Sequence, residues 1–147
     1  MEKILVAIDT RHGAWAALSH ACSLARRMDV ELYVLLVNPP PGERKVSSGN
    51  VLESTVKKRL SLLLETAKAQ GISINYFVTE GTYEDEVIQF VKHYRIGLLV
   101  FETKGSETRM TAKEATLLGT LRHRLRCKIE VVAANKSGPN PESLRSG

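Results

Sequence analysis

Cysteine is scarce in this chain. Only Cys22 and Cys127 occur, far apart and without C-x-x-C spacing, so neither a disulfide framework nor a zinc knuckle is implied and reduced thiols are expected. Long apolar runs are missing too. The first run, residues 4–8, stops at Asp9, too short for the apolar region of a signal peptide or for the roughly 20 residues of a membrane span. A cytoplasmic location without a membrane partner is the expectation. His12, His20 and His93 have no acid or nucleophile at an informative spacing, which leaves no catalytic triad to defend. The densest basic cluster, Arg122, His123, Arg124, Arg126 and Lys128, contains no Phe, Tyr or Trp. Without aromatics to stack bases it reads as a solvated helix face, and nucleic acid is not an expected partner. His123 and Cys127 stand four residues apart, a spacing that suits two metal ligands on a helix, but no second pair completes a site and no metal is expected. There is no internal repeat.

What is present is the material of one α/β domain. The chain has 147 residues, 43% of them hydrophobic, and 21 Lys plus Arg against 16 Asp plus Glu. That is enough for one continuous core, and the charge excess of +5 is of a size common in ordinary soluble proteins. The unbroken apolar run at residues 4–8 and the stretch ELYVLLV at residues 31–37, apolar from Leu32 onward, predict strands covered on both faces. Further strands are expected at residues 72–79, 96–101 and 129–134. Between them, apolar residues recur at helical spacing: Trp15, Leu18, Cys22 and Ala25; Val56, Leu60, Leu63, Leu64 and Ala67; Tyr83, Val87, Phe90, Val91 and Tyr94; and Leu117, Leu118, Leu121 and Leu125. Thr82 with Asp85, and Thr111 with Glu114, have the spacing of helix N-caps and their third-position acids. Residues 39–50, rich in Pro, Gly and Ser, are expected to form the longest loop, with Lys57, Lys58 and Arg59 facing solvent on the helix that follows. Residues 1–134 are thus expected to fold as one domain, and residues 135–147, polar and broken by two prolines and two glycines, to form a disordered tail.

The β-α-β-α-β-α-β-α-β order predicts a doubly wound five-stranded parallel sheet, strand order 3-2-1-4-5, with helices on both faces. The first and fourth helices are expected on one face and the second and third on the other. Ligands of such sheets sit at the strand C-termini where the strand order reverses, which makes Asp9, Val37 and residues 102–105 the candidate rim.

Several stretches then resemble one family. KILVAIDT (residues 3–10), ELYVLLV (residues 31–37), GTYEDEVIQFVKHYRIGLLV (residues 81–100) and CKIEVV (residues 127–132) are similar to strands and helices of the universal stress proteins, over about residues 3–134. The nucleotide-binding branch of that family carries G-x2-G-x9-G-[S/T] after the fourth strand, where small residues let backbone N–H groups approach phosphate. Laid without gaps, the motif falls on Glu102, Gly105, Ala115 and Thr116, so that Gly105 and the hydroxyl residue alone survive. A gapped alternative would end the motif at Gly119 and Thr120. The resemblance implies ATP or AMP as ligand, with Mg²⁺ for ATP, contacted by Asp9, Thr10, Val37, Thr103, Lys104, Gly105, Ala115 and Thr116. Three of these have a plainer role: Asp9 as a turn cap, Val37 as core, Thr116 as an ordinary helix position.

The family also implies a homodimer through the last strand, KIEVVAA (residues 128–134), and a stress-response accessory role exercised by binding. A protein partner in place of a nucleotide, with the old pocket closed, and a weak ATP-hydrolysing activity remain the alternatives. Because Glu102 replaces the first small residue of the motif, Glu102→Gly is expected to strengthen ATP binding measurably and AMP binding less, by calorimetry; no gain for ATP either in this variant or in Glu102→Gly with Ala115→Gly, both folded, would mean that the register is wrong or the pocket is blocked elsewhere.

Overall fold

The computed structural model describes residues 2–9, 14–40, 48–104 and 110–134. Thr10, His12, Gly105, Arg109 and the predicted tail lie outside the described residues. Strands β1 (Glu2–Asp9), β2 (Val30–Asn38), β3 (Ile74–Glu80), β4 (Leu98–Thr103) and β5 (Lys128–Ala133) alternate with helices α1 (Trp15–Arg27), α2 (Ser48–Ala69), α3 (Tyr83–Tyr94) and α4 (Ala112–Arg124). All neighbouring strands pair in parallel, in the order β3-β2-β1-β4-β5. The apolar runs at β1 and β2 are buried on both sides, as their lack of alternation requires.

Two departures are informative. Helix α2 begins at Ser48, inside the span read as loop. The pairing of helices with faces also differs from expectation. Leu5, Ala7, Leu35, Val37, Leu99 and Phe101 share one core layer with α3 and α4, whereas Ile4, Val6, Ile8, Leu32, Val34, Leu36 and Val100 share the other with α1 and α2. The cause is the direction of travel across the sheet. From β1 to β2 to β3 the chain steps one way, and from β3 to β4 to β5 the other; right-handed crossovers put the helices of each direction on one face. Hence α1 pairs with α2, and α3 with α4.

Local chemistry sets the element ends. Gly71, at φ +84, closes α2 in the left-handed conformation that glycine adopts without strain, and Ile72 N–H returns to the Ala67 carbonyl. Thr82 caps α3 by accepting from Asp85 N–H, and Thr111 with Glu114 forms a full capping box on α4. Between α3 and the sheet, the rings of Phe90 and Tyr94 from the helix pack with Tyr33 of β2 and Phe77 of β3, with Phe90 and Tyr94 centroids 4.4 Å apart. Because α4 ends at Arg124, His123 and Cys127 do not share a helical turn.

Leu99, fully buried in β4 under α3 and α4, tests this core. Leu99→Ala is expected to lower the unfolding free energy by about 2–5 kcal/mol, read from urea denaturation as a lower midpoint at unchanged slope.

Candidate functional site

Side chains alternate along a parallel strand, so Asp9, Val37, Phe101 and Thr103 face the α3/α4 layer while Asn38 and Glu102 face the α1/α2 layer. The sheet's travel reverses between β1 and β4, and their C-terminal ends open a cavity of about 430 Å³. Asp9, Phe101, Glu102, Thr103, Lys104 and Tyr83 line it, with Ala14 before α1 and Thr111, Lys113, Glu114 and Leu117 at the start of α4. A second cavity of about 150 Å³ adjoins it, lined by Val37, Pro39, Pro40, Gly81 and Thr82, and shares Asp9 and Tyr83 with the first.

Two carboxylates organise the rim. Glu102 accepts a hydrogen bond from Ala17 N–H at 2.9 Å. Helix α1 has no side-chain cap of its own, since its N-cap is Ala14 in the left-handed region, so a residue from β4, 85 positions away, supplies the missing acceptor. Burial pushes the Glu102 carboxyl above its ordinary value, against the opposing pull of the Ala17 and Ala16 amides and the Arg59 guanidinium. Arg59 is exposed, as its place on α2 predicted, yet its guanidinium lies 4.6 Å from the Trp15 ring centroid at the start of α1.

Glu114 is the second. Its Oε1 accepts from Thr111 N–H at 3.1 Å within the capping box, and its Oε2 accepts from Lys104 N–H at 2.7 Å. One carboxylate therefore joins the end of β4 to the start of α4. Tyr83, at the first position of α3, has its phenol pushed well above the ordinary range by burial and then by the Asp9 and Glu102 charges. It remains a neutral hydroxyl between the two cavities.

The structure brings together Asp9, Thr103 and Lys104 in the larger cavity, and Asp9 with Val37 in the smaller. Val37 and Thr103 are buried. Ala115 and Thr116 do not line either cavity; they are exposed on α4, and Ala115 N–H is bonded to the Thr111 carbonyl inside the helix. The end of the ungapped motif thus falls within a regular helix, where its amide already has a partner. Sequence reasoning missed three contributors: Tyr83, read as part of an apolar stripe; Glu114, read as a cap alone; and the N-terminus of α1. The Thr111-to-Glu114 spacing marks Glu114 as a residue that turns back on its own helix, and nothing local marks its bond to Lys104. The His20 ring likewise meets Glu130 of β5 at 2.8 Å, a partner 110 positions away.

The cavity and the amides around it differ in what they leave open to a ligand. A volume of about 430 Å³ lies in the range of small-molecule pockets. Phosphates need free donors, and the amides of Ala17, Lys104 and Thr111 are already bonded to this chain's own carboxylates. Among the described residues no group of three or more His, Cys, Asp or Glu could hold a metal ion.

A model of the universal stress protein family matches residues 1–126. The chain belongs to that family. It is 26% identical over 146 residues to Universal stress protein MJ0531 of Methanocaldococcus jannaschii, covering 92% of this chain and 84% of that protein. Its fold is that of Universal stress protein UspA from Lactobacillus plantarum, with TM-score 0.67 and 18% identity over 89% of this chain and 97% of the other. It is also similar to a universal stress protein from Archaeoglobus fulgidus in complex with dAMP, with TM-score 0.61 and 18% identity over 89% and 97% of the two chains. A universal stress protein in complex with cAMP gives TM-score 0.60 and 15% identity over 89% and 96%.

The raised Glu102 carboxyl has a signed consequence for stability. A group whose folded-state value lies above its unfolded one favours the folded state at low pH and loses that contribution as pH rises through the folded value. Glu102→Gln keeps an oxygen for Ala17 N–H but has nothing to ionise. Relative to this variant, the wild-type protein is expected to lose stability as pH rises from about 4.5 and to level off once Glu102 is ionised; a difference independent of pH in chemical denaturation between pH 4 and 8 would contradict the assignment.

Proposed function

We propose that the protein acts by binding, as a cytoplasmic stress-response accessory protein whose larger cavity takes the adenine nucleoside part of an adenine nucleotide. The observation that carries this reading is the cavity of about 430 Å³ at the reversal of strand order, with Asp9 and Tyr83 at its junction with the smaller cavity. The dAMP and cAMP complexes of proteins of the same fold support the ligand class. Asp9 presents a carboxylate to ribose hydroxyls or base amines, and Tyr83 a neutral hydroxyl beside an aromatic face. No helix of the described residues is long and apolar enough to cross a membrane.

One observation favours a second reading, a nucleotide-independent interaction module. The carboxylates of Glu102 and Glu114 already take amides that a phosphate would use. An ATP-hydrolysing activity would need such donors on the transferred group, and among the described residues the amides of Ala17, Lys104 and Thr111 are taken, so it is the weakest of the three readings.

Titration calorimetry with AMP, ADP and ATP, each with and without Mg²⁺, separates these readings. The binding reading expects saturable one-to-one binding of AMP, weakened about tenfold or more in Asp9→Ala, as loss of a hydrogen bond to a charged group implies. Heats indistinguishable from dilution for all three nucleotides would leave the interaction module in possession.

The homodimer through the last strand is part of the same proposal. Strand β5 pairs with β4 on one side and lies at the sheet edge, where an unpaired strand is a template for a second copy. Glu130 is engaged by His20 of its own chain, so it is not needed for a cross-subunit ion pair. Light scattering at high micromolar concentration is expected to report a dimer, and monomer alone would rule this edge out as an interface.

A further inference from the structure

We infer that Glu114 is an internal stand-in for a ligand phosphate, and that it makes the larger cavity selective for an adenine nucleoside over its di- and triphosphates. The inference rests on the adenine reading of the cavity for the identity of the ligand, but not for the role of Glu114.

The geometry at the rim is that of an anion bound between two chain segments. Both carboxylate oxygens are used, Oε2 on Lys104 N–H after β4 and Oε1 on Thr111 N–H at the N-cap of α4. Charge-assisted bonds of this kind are short and strong, and 2.7 Å to Lys104 is at the short end. An anion at this place also lies against the N-terminal dipole of α4. A phosphate arriving from solvent would find these two amides bonded and a like charge beside them. To use them it must displace a carboxylate anchored on α4, an intramolecular competitor that is always present. Glu102 repeats the arrangement on the other side of the cavity by taking Ala17 N–H at the start of α1.

A nucleoside meets no such competition. The cavity walls include Ala7, Ala14, Phe101 and Leu117, which suit a base or sugar face, together with Asp9 and the Tyr83 hydroxyl as polar partners. The exposed side chains of Lys104 and Lys113 also reach the rim, and their flexible charges draw anions towards the mouth without replacing the fixed amides. Among the described residues, selectivity therefore turns on whether the Lys104 amide is free, and Glu114 decides that.

Glu114→Gln separates the two functions of this side chain. The glutamine oxygen can still accept from Thr111 N–H, as glutamine does in capping boxes, so α4 keeps its cap. The amide NH₂ is a donor and cannot accept from Lys104 N–H. The variant is thus expected to fold, with an unchanged circular dichroism spectrum, and to release the Lys104 amide.

Two measurements test the inference. Calorimetry with adenosine and ATP should show the wild-type protein binding adenosine at least as tightly as ATP, and the variant tightening ATP about tenfold while adenosine changes less than about twofold, a size that fits removal of one partly screened like charge. Inorganic pyrophosphate, which carries no base, is the probe for the amide itself. In ¹⁵N-edited NMR titrations it should shift the Lys104 amide resonance of the variant and leave that of the wild-type protein in place. An equal response, or none, in both proteins overturns the role of Glu114, as does tighter ATP than adenosine binding by the wild-type protein. If pyrophosphate acts as expected and neither adenosine nor ATP binds either protein, the role of Glu114 stands and the adenine reading falls.

Discussion

Everything at the candidate site depends on one reversal in the path of the chain. With right-handed crossovers, a chain that steps from β1 to β2 to β3 must lay both helices on one face, and on returning past β1 to β4 and β5 must lay the next two on the other. At the strand where travel reverses, the connections leaving β1 and β4 diverge to opposite faces. A crevice between them is unavoidable, and the larger cavity occupies it, reached by side chains from both layers. Asp9 and Thr103 come to it from the α3/α4 layer, and Glu102 from the α1/α2 layer.

A crevice of this kind is ringed by helix N-termini, whose amides have no partner within the helix. Proteins that bind nucleotides leave such amides for phosphate. Here the chain supplies its own anions: Glu102 takes an amide of α1, whose N-cap is an alanine, and Glu114 spans Lys104 and Thr111. The same two carboxylates have a structural consequence. Glu102 ties β4 to α1, and Glu114 ties the end of β4 to α4, so the rim is braced on both sides, at Glu102 by the residue that stands where the family motif calls for a small one. Replacement of Glu102 by glycine accordingly removes a charge from the cavity wall and the cap of α1 together, an uncapping that costs about 1 kcal/mol in typical helices. Stability and binding of such a variant must be measured separately.

The strands were legible because burial on two faces erases alternation, and the runs at β1 and β2 have none. Both N-caps on Thr82 and Thr111 were legible because a cap is a contact between residues three apart. The start of α2 was not, since the serine and glycine there are weak helix formers and carry no apolar stripe from which a helical period could be read. The face taken by each helix depends on the direction of each crossover, which periodicity does not record. The motif register was laid down by counting, and it put Ala115 and Thr116 on the exposed side of α4, away from the cavity.

By itself, then, the sequence determined the class of fold, the order of its elements and the end of β1 at Asp9, because each of these follows from local patterns of burial and from the geometry of parallel sheets. Tertiary structure alone decided where the charges go. Glu102 and Ala17 are 85 positions apart, His20 and Glu130 are 110, and Glu114 reaches a backbone amide 10 positions before it. A carboxylate's partner is set by which donor the folded chain leaves unsatisfied within its reach. That depends on the three-dimensional path of the backbone and not on the residues beside it.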